Sequence, residues 1–344
     1  MKHLLNTLYV TTQGAWLARE RENVLIRVEQ DTRMRLPIHT LGSIIGFGQV
    51  SASAPLMGLC AERGVSLNFF TERGRFLARV EGPVSGNVLL RRAQYRASDA
   101  PDSAARLAAV MVAAKIANSR FVLQRALRDR GDGAARESIQ GAIDHLATLL
   151  RRVRNETLDL DSVRGFEGAA ARAYFGVFDQ LILTAESEFR FQGRNRRPPL
   201  DATNAVLSFI YTLLRHDIAA ALEGVGLDPA VGFLHRDRPG RPGLALDLME
   251  ELRAPLADRL VLALINRKQI KATGFSMTES GAVSMDDATR KTVLVAWQER
   301  KRETLRHPYL NETVEIGLIP HLQARLLAND LRGQLDAYPA LIWR

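Results

Sequence analysis

The 344-residue chain is 46% hydrophobic and 25% charged, which excludes wholesale disorder and leaves room for about two domains with real cores. A single cysteine, Cys60, excludes an internal disulfide and a Cys-rich zinc site, and fits a reducing cytoplasm. Lys plus Arg total 47 against 38 Asp plus Glu, and this formal +9 points to an anionic partner such as nucleic acid.

Only six of the 47 basic residues are Lys, so a GC-rich genome is an equally good source of the arginines. No uninterrupted run of 18 apolar residues occurs, and MKHLLNTLYVTTQGAW lacks a secretory-signal pattern. Neither a membrane span nor export is expected, and the cytoplasm is the expected location.

In chain order, residues 1–81 alternate short β-type runs with turn signals. Strands are predicted at Leu4–Val10, Ala15–Arg19, Val24–Val28, Ser43–Phe47, Val65–Phe70 and Phe76–Val80, with one helix at Ala54–Glu62. Phe69-Phe70 and Phe76 flank a hairpin with Gly74 in its turn. The turn-rich Gly82-Pro83-Val84-Ser85-Gly86 is read as a hinge, residues 82–86.

Beyond it the apolar period becomes helical. Helices are predicted at Ala104–Arg128, Ser138–Arg152, Gly168–Leu183, Asp201–Leu222, Leu246–Ile265, Asp286–Thr304 and Glu312–Leu331, with Asp201 as an N-cap. The expected fold class is α+β: a small N-terminal β-rich domain, 1–81, followed by a larger all-α domain, 87–344.

GxxxxGK[ST], GxGxxG after a strand, HExxH and GxSxG are all absent. What remains is a histidine and several acids. The loop Gly232-Phe233-Leu234-His235 to Gly243 leads into the helix bearing Asp247 and Glu250, spaced i, i+3 on one face of its first turn. Carboxylate oxygens suit hard divalent cations and an imidazole suits Mn²⁺. Helix-opening acids answering the dipole, beside a surface histidine, are the structural alternative.

Glu167 stands between Gly165-Phe166 and Gly168 with small residues after it, which allows a ligand or another backbone to come close. A tightly packed helix start explains the same pattern. Arg190, Arg194, Arg196 and Arg197, with Phe189 and Phe191 among them, suit phosphate and base-stacking contacts. A solvated basic loop, or pairing with Glu186 or Glu188, would look alike.

GFEGAAARAYF (165–175), RNRRPPLDATNAVLSFIYTLL (194–214) and GFLHRDRPGRPGLALDLMEELRAPLADR (232–259) together resemble the CRISPR-associated integrase family of spacer acquisition, and subtype I-C members most. The Pro37-Ile38-His39 and Val65-to-Phe70 stretches resemble its β domain.

The resemblance implies an N-terminal β domain and a helical catalytic domain. It also implies metal-dependent endonuclease and integrase activity on DNA. Glu167, His235 and Glu250 would be ligands of Mg²⁺ or Mn²⁺, and Asp247 a further acid of the catalytic site. The expected partners are DNA, a second copy of the chain joined through residues 1–81, and a small ferredoxin-like CRISPR-associated nuclease. A non-catalytic nucleic-acid scaffold and a DNA-repair nuclease are the competing readings. Metal-dependent cutting separates the first from an integrase, and strand transfer separates the second.

Overall fold

A computed structural model describes residues 5–29, 31–72, 74–82, 88–128, 133–195, 198–279 and 281–343. Apart from Gly82, the expected hinge lies outside the described residues, as do Arg196 and Arg197. The chain divides into two compact units, Met1–Gly86 and Asn87–Arg344.

The first unit runs β1 (Asn6–Val10), β2 (Ala15–Glu20), β3 (Asn23–Val28), β4 (Asp31–Pro37), β5 (Leu41–Phe47), β6 (Ser51–Ala52), α1 (Ala54–Arg63), β7 (Ser66–Phe70) and β8 (Phe76–Val80). It forms two four-stranded sheets, ordered β1-β5-β7-β8 and β4-β3-β2-β6. The first is parallel across β1, β5 and β7, and closes with the antiparallel β7–β8 hairpin. The second is an antiparallel meander, β2-β3-β4, with β6 added parallel to β2.

Helix α1 starts at Ser53, whose hydroxyl accepts from Leu56 N, and ends at Gly64 in the left-handed region. Its Leu56, Leu59 and Cys60 join Leu17, Val24, Ile44 and Leu67 in one core. Strand β4 is absent from the predicted set because it is exposed along nearly its whole length and carries no apolar alternation.

The second unit begins with α2 (Val88–Asp99), α3 (Pro101–Arg128), α4 (Ala134–Asn155), α5 (Leu160–Gly176) and α6 (Ala202–Val225). It continues with α7 (Gly243–Met249), α8 (Arg259–Asn266), the hairpin β9 (Phe275–Met277) and β10 (Val283–Met285), and α9 (Asp287–Arg302). The hairpin β11 (Thr304–Arg306) and β12 (Thr313–Glu315) precedes α10 (Ile319–Leu331). The unit is thus mostly helical, with two short hairpins that the purely helical expectation lacked.

Helices α3 and α6 are long and apolar enough to cross a membrane by length and composition. Their apolar windows are 67% and 61% buried inside the protein, so they serve as core helices.

Three predicted helices change in ways that matter for the site. The one expected at Gly168–Leu183 is α5 and starts eight residues earlier, at Leu160, because Asp159 caps Ser162 N at 2.7 Å. Glu167 therefore lies in mid-helix and not in a first turn. The helix expected at Leu246–Ile265 is interrupted. It begins at Gly243, stops at Met249, and resumes through a π-helical turn, Arg253–Asp258, before α8. Pro255 has no N–H to give and cannot continue an α ladder, so the turn widens. The last expected helix, Glu312–Leu331, begins only at Ile319, after β12.

Candidate active site

Asp247 organises the site. Its side chain is 0% exposed and its carboxylate accepts the backbone N–H groups of Phe233, Leu234 at 2.9 Å and His235 at 3.0 Å. The same carboxylate lies 2.6 Å from His235 Nδ1. With Nδ1–H donating to Asp247, the lone pair of the imidazole sits on Nε2.

The loop reaches this position through two glycines. A Cβ on Gly232 would meet Asp247 Oδ2 at 2.5 Å, and one on Gly243 would meet Ala230 O at 2.7 Å. Arg164 of α5 ties the loop to that helix, donating from Nε to Leu234 O at 2.8 Å.

Glu250 follows the last residue of α7 and is 1% exposed. Neither Asp247 nor Glu250 lies in a first helical turn, contrary to expectation, so the helix dipole does not account for them. Side-chain cations do. Arg253 Nη1 lies 3.0 Å from Glu250 Oε1, and Lys115 Nζ lies 2.8 Å from Glu250 Oε2. Burial pushes the Glu250 carboxyl up, but Arg253, Lys115 and His235 outweigh it and hold the group down to about 2.

Glu167, on α5, reaches the same Lys115 ammonium through its Oε1. Two carboxylates from separate helices thus meet at one buried nitrogen supplied by α3. Burial works against the charge on Lys115, yet Glu250 and Glu167 together raise its pKa above the ordinary lysine value.

Of the expected site residues, Glu167 and Glu250 meet at Lys115, Asp247 holds His235, and His235 acts electrostatically on Glu250. Among the described residues, no three His, Cys, Asp or Glu side chains stand close enough together to form a ready-made metal site. Lys115 stands between two of the expected ligands instead. The donor set still fits a divalent cation: hard carboxylate oxygens, one imidazole nitrogen, and a positive charge already seated where the carboxylates converge.

The arginines divide. Arg194 turns inward, donating to Asn204 Oδ1 at 2.6 Å and Ser208 Oγ at 3.1 Å. It stacks on the Tyr211 ring at 5.2 Å, as Arg253 also does. Arg190 pairs with Asp179 at 3.3 Å, and not with Glu186 or Glu188. Asp201 caps α6 through Asn204 N, as expected.

Lys115 and Arg253 were not singled out from the sequence as site residues. A signal for Lys115 exists: it is the one charge inside the apolar run AAVMVAAKIA, and a buried lysine needs a partner. Arg253 lies i+3 from Glu250, within ordinary pairing distance on a helical turn.

Residues 8–299 match the family model described as CRISPR associated protein Cas1. The chain is 55% identical over 347 residues to CRISPR-associated endonuclease Cas1 2 of Rhodospirillum rubrum, covering 100% of both. It is 53% identical to CRISPR-associated endonuclease Cas1 1 of Chlorobaculum tepidum, again over 100% of both. A Cas1 structure from Thermotoga maritima shares the fold with a TM-score of 0.82 at 21% identity, covering 95% of this chain and 97% of that one. A casposase bound to integration product has a TM-score of 0.82 at 20% identity, covering 99% and 96%.

Similarity of this degree over the whole length places the chain in the class of CRISPR-associated endonucleases. It belongs to the Cas1 family.

Proposed function

We propose that the protein is a metal-dependent DNA integrase and endonuclease that inserts short foreign DNA segments into a CRISPR array. The observation that carries this reading is the meeting of Glu167 and Glu250 at one buried cationic nitrogen, beside a histidine locked by Asp247. Glu167, Glu250 and His235 Nε2 would hold Mg²⁺ or Mn²⁺. Held there, such an ion would supply charge neutralisation at the scissile phosphate and at the leaving oxygen.

The protein's own groups supply the rest. Asp247 fixes the ring and tautomer of His235, and Arg253 screens Glu250 so that its buried carboxylate stays ionised. In integration, the 3′-hydroxyl of the incoming DNA attacks the array phosphorus and the array's 3′-oxygen leaves; in cutting, water takes the place of the hydroxyl.

Further parts of this proposal are a subtype I-C system, a cytoplasmic setting and a homodimer joined through residues 1–81. Mass by light scattering checks the dimer. The small ferredoxin-like nuclease would bridge dimers. A relative of matching fold is described in a complex with Cas2, and others are described as Cas4/Cas1 fusions, which supports CRISPR-associated partners in general.

The test is cleavage and strand transfer with Mn²⁺ or Mg²⁺. E167Q and H235A should abolish both reactions while DNA affinity survives, because affinity comes from phosphate contacts elsewhere. Cutting by E167Q at the wild-type rate would overturn the assignment.

A further inference from the structure

Lys115 is assigned no chemical task in the reading above, yet its ammonium joins the two carboxylates. We propose that its ammonium is a resident counter-ion that the divalent metal must displace, so that Lys115 sets the metal concentration at which the enzyme loads. This inference rests on the assignment of Glu167 and Glu250 as metal ligands.

Geometry makes the two cations exclusive. The ammonium touches Glu167 Oε1 and lies 2.8 Å from Glu250 Oε2. A metal ion bonds carboxylate oxygens at about 2.0–2.6 Å, so it needs nearly the same point in space. Charge makes them exclusive too. Two carboxylates already face two cations, Lys115 and Arg253. A dication added with Lys115 in place would put four positive charges against two negative ones in a buried volume, where repulsion is screened far less than in water.

The choice of residue supports a mobile charge. Lys and Arg total 47 in this chain and only six are Lys, yet this buried position has Lys. An arginine fork would grip a carboxylate bidentately. A lysine is a point charge on four rotatable carbons and can withdraw.

The experiment is Mn²⁺ binding to the full chain without DNA, by titration calorimetry and by the EPR signal of free Mn²⁺, with thermal unfolding alongside. K115M keeps most of the length of the side chain and removes its charge. It should bind Mn²⁺ about tenfold tighter than wild type or better, unfold at a lower temperature without metal, and gain more from added Mn²⁺. K115R should bind Mn²⁺ more weakly than wild type, because its fork holds the carboxylates harder.

K115M folded as wild type and binding Mn²⁺ no tighter overturns the inference. If K115M folds only with Mn²⁺ present, the lysine is replacing the metal, as proposed. If it never folds, K115R decides, and wild-type Mn²⁺ affinity in K115R overturns the inference. E167Q separates the two layers. Unchanged Mn²⁺ binding in E167Q means the ligand assignment is wrong, whereas loss in E167Q with no gain in K115M removes only the role of Lys115.

Discussion

Asp247 shows how one carboxylate acts through others. It accepts three backbone N–H groups and faces the imidazole, and it has no exposed surface. An amide at this position has a single acceptor oxygen and two unwanted hydrogens. D247N should therefore leave His235 poorly held and lower activity by about 10- to 100-fold, the usual range for a group that supports a metal-binding histidine. It should also lower thermal stability, since buried N–H groups lose their partner. Activity within twofold of wild type, at unchanged stability, would show that the loop is held by other means.

At the scale of elements, the π-helical turn Arg253–Asp258 joins the site to the core. Asp258 ends this turn, and Tyr211 of α6 donates to its Oδ1 at 2.6 Å. Burial pushes the Asp258 carboxyl up to about 6, and the tyrosine hydroxyls and Arg253 and Arg194 recover only part of that shift. The ordinary value is near 3.8, so the folded state binds this proton more tightly than the unfolded chain does. Its stabilisation is full below about pH 4 and is lost as pH rises through about 6.

D258N cannot titrate. The stability of wild type relative to D258N should fall by about 2 kcal/mol between pH 4 and pH 7. Urea unfolding at several pH values measures this, and a difference that grows with pH would reverse the assignment. The chain's end is tied to the same region. Tyr338 Oη and Leu341 N both donate to the buried Glu251, the neighbour of Glu250, and Asn118 on α3 bonds both Glu251 O and Leu341 O.

For the whole molecule, the +9 charge implies DNA affinity that falls with salt. Arg190 and Arg194, the described members of the arginine run, have different partners. Arg194 is committed to Asn204, Ser208 and the Tyr211 ring. R194A should thus lower stability and leave the salt dependence of DNA binding nearly unchanged. R196A with R197A should make the slope of log K against log salt shallower by about 0.9 for each duplex phosphate that the variant no longer neutralises. DNA affinity at several salt concentrations measures both. A shallower slope for R194A and an unchanged one for the double variant would exchange their roles.

The sequence by itself determined the order of a β-rich part and a helical part, because periods of two and of 3.6 are local properties of a chain. It determined six of the eight strands of the first unit to within a few residues, and it missed the exposed β4, which lacks that alternation, and the two-residue β6, which is too short to show one. It also marked Glu167, His235, Asp247 and Glu250, whose motifs survive as words. Helix limits near the site were decided elsewhere: Asp159 starts α5 upstream of two glycines, and Pro255 turns one expected helix into two. Only the tertiary structure decided that Lys115, 52 positions before Glu167, stands between the acids, and that Asp247 holds the histidine. Those facts depend on which helix faces lie together in space, and no local pattern encodes that.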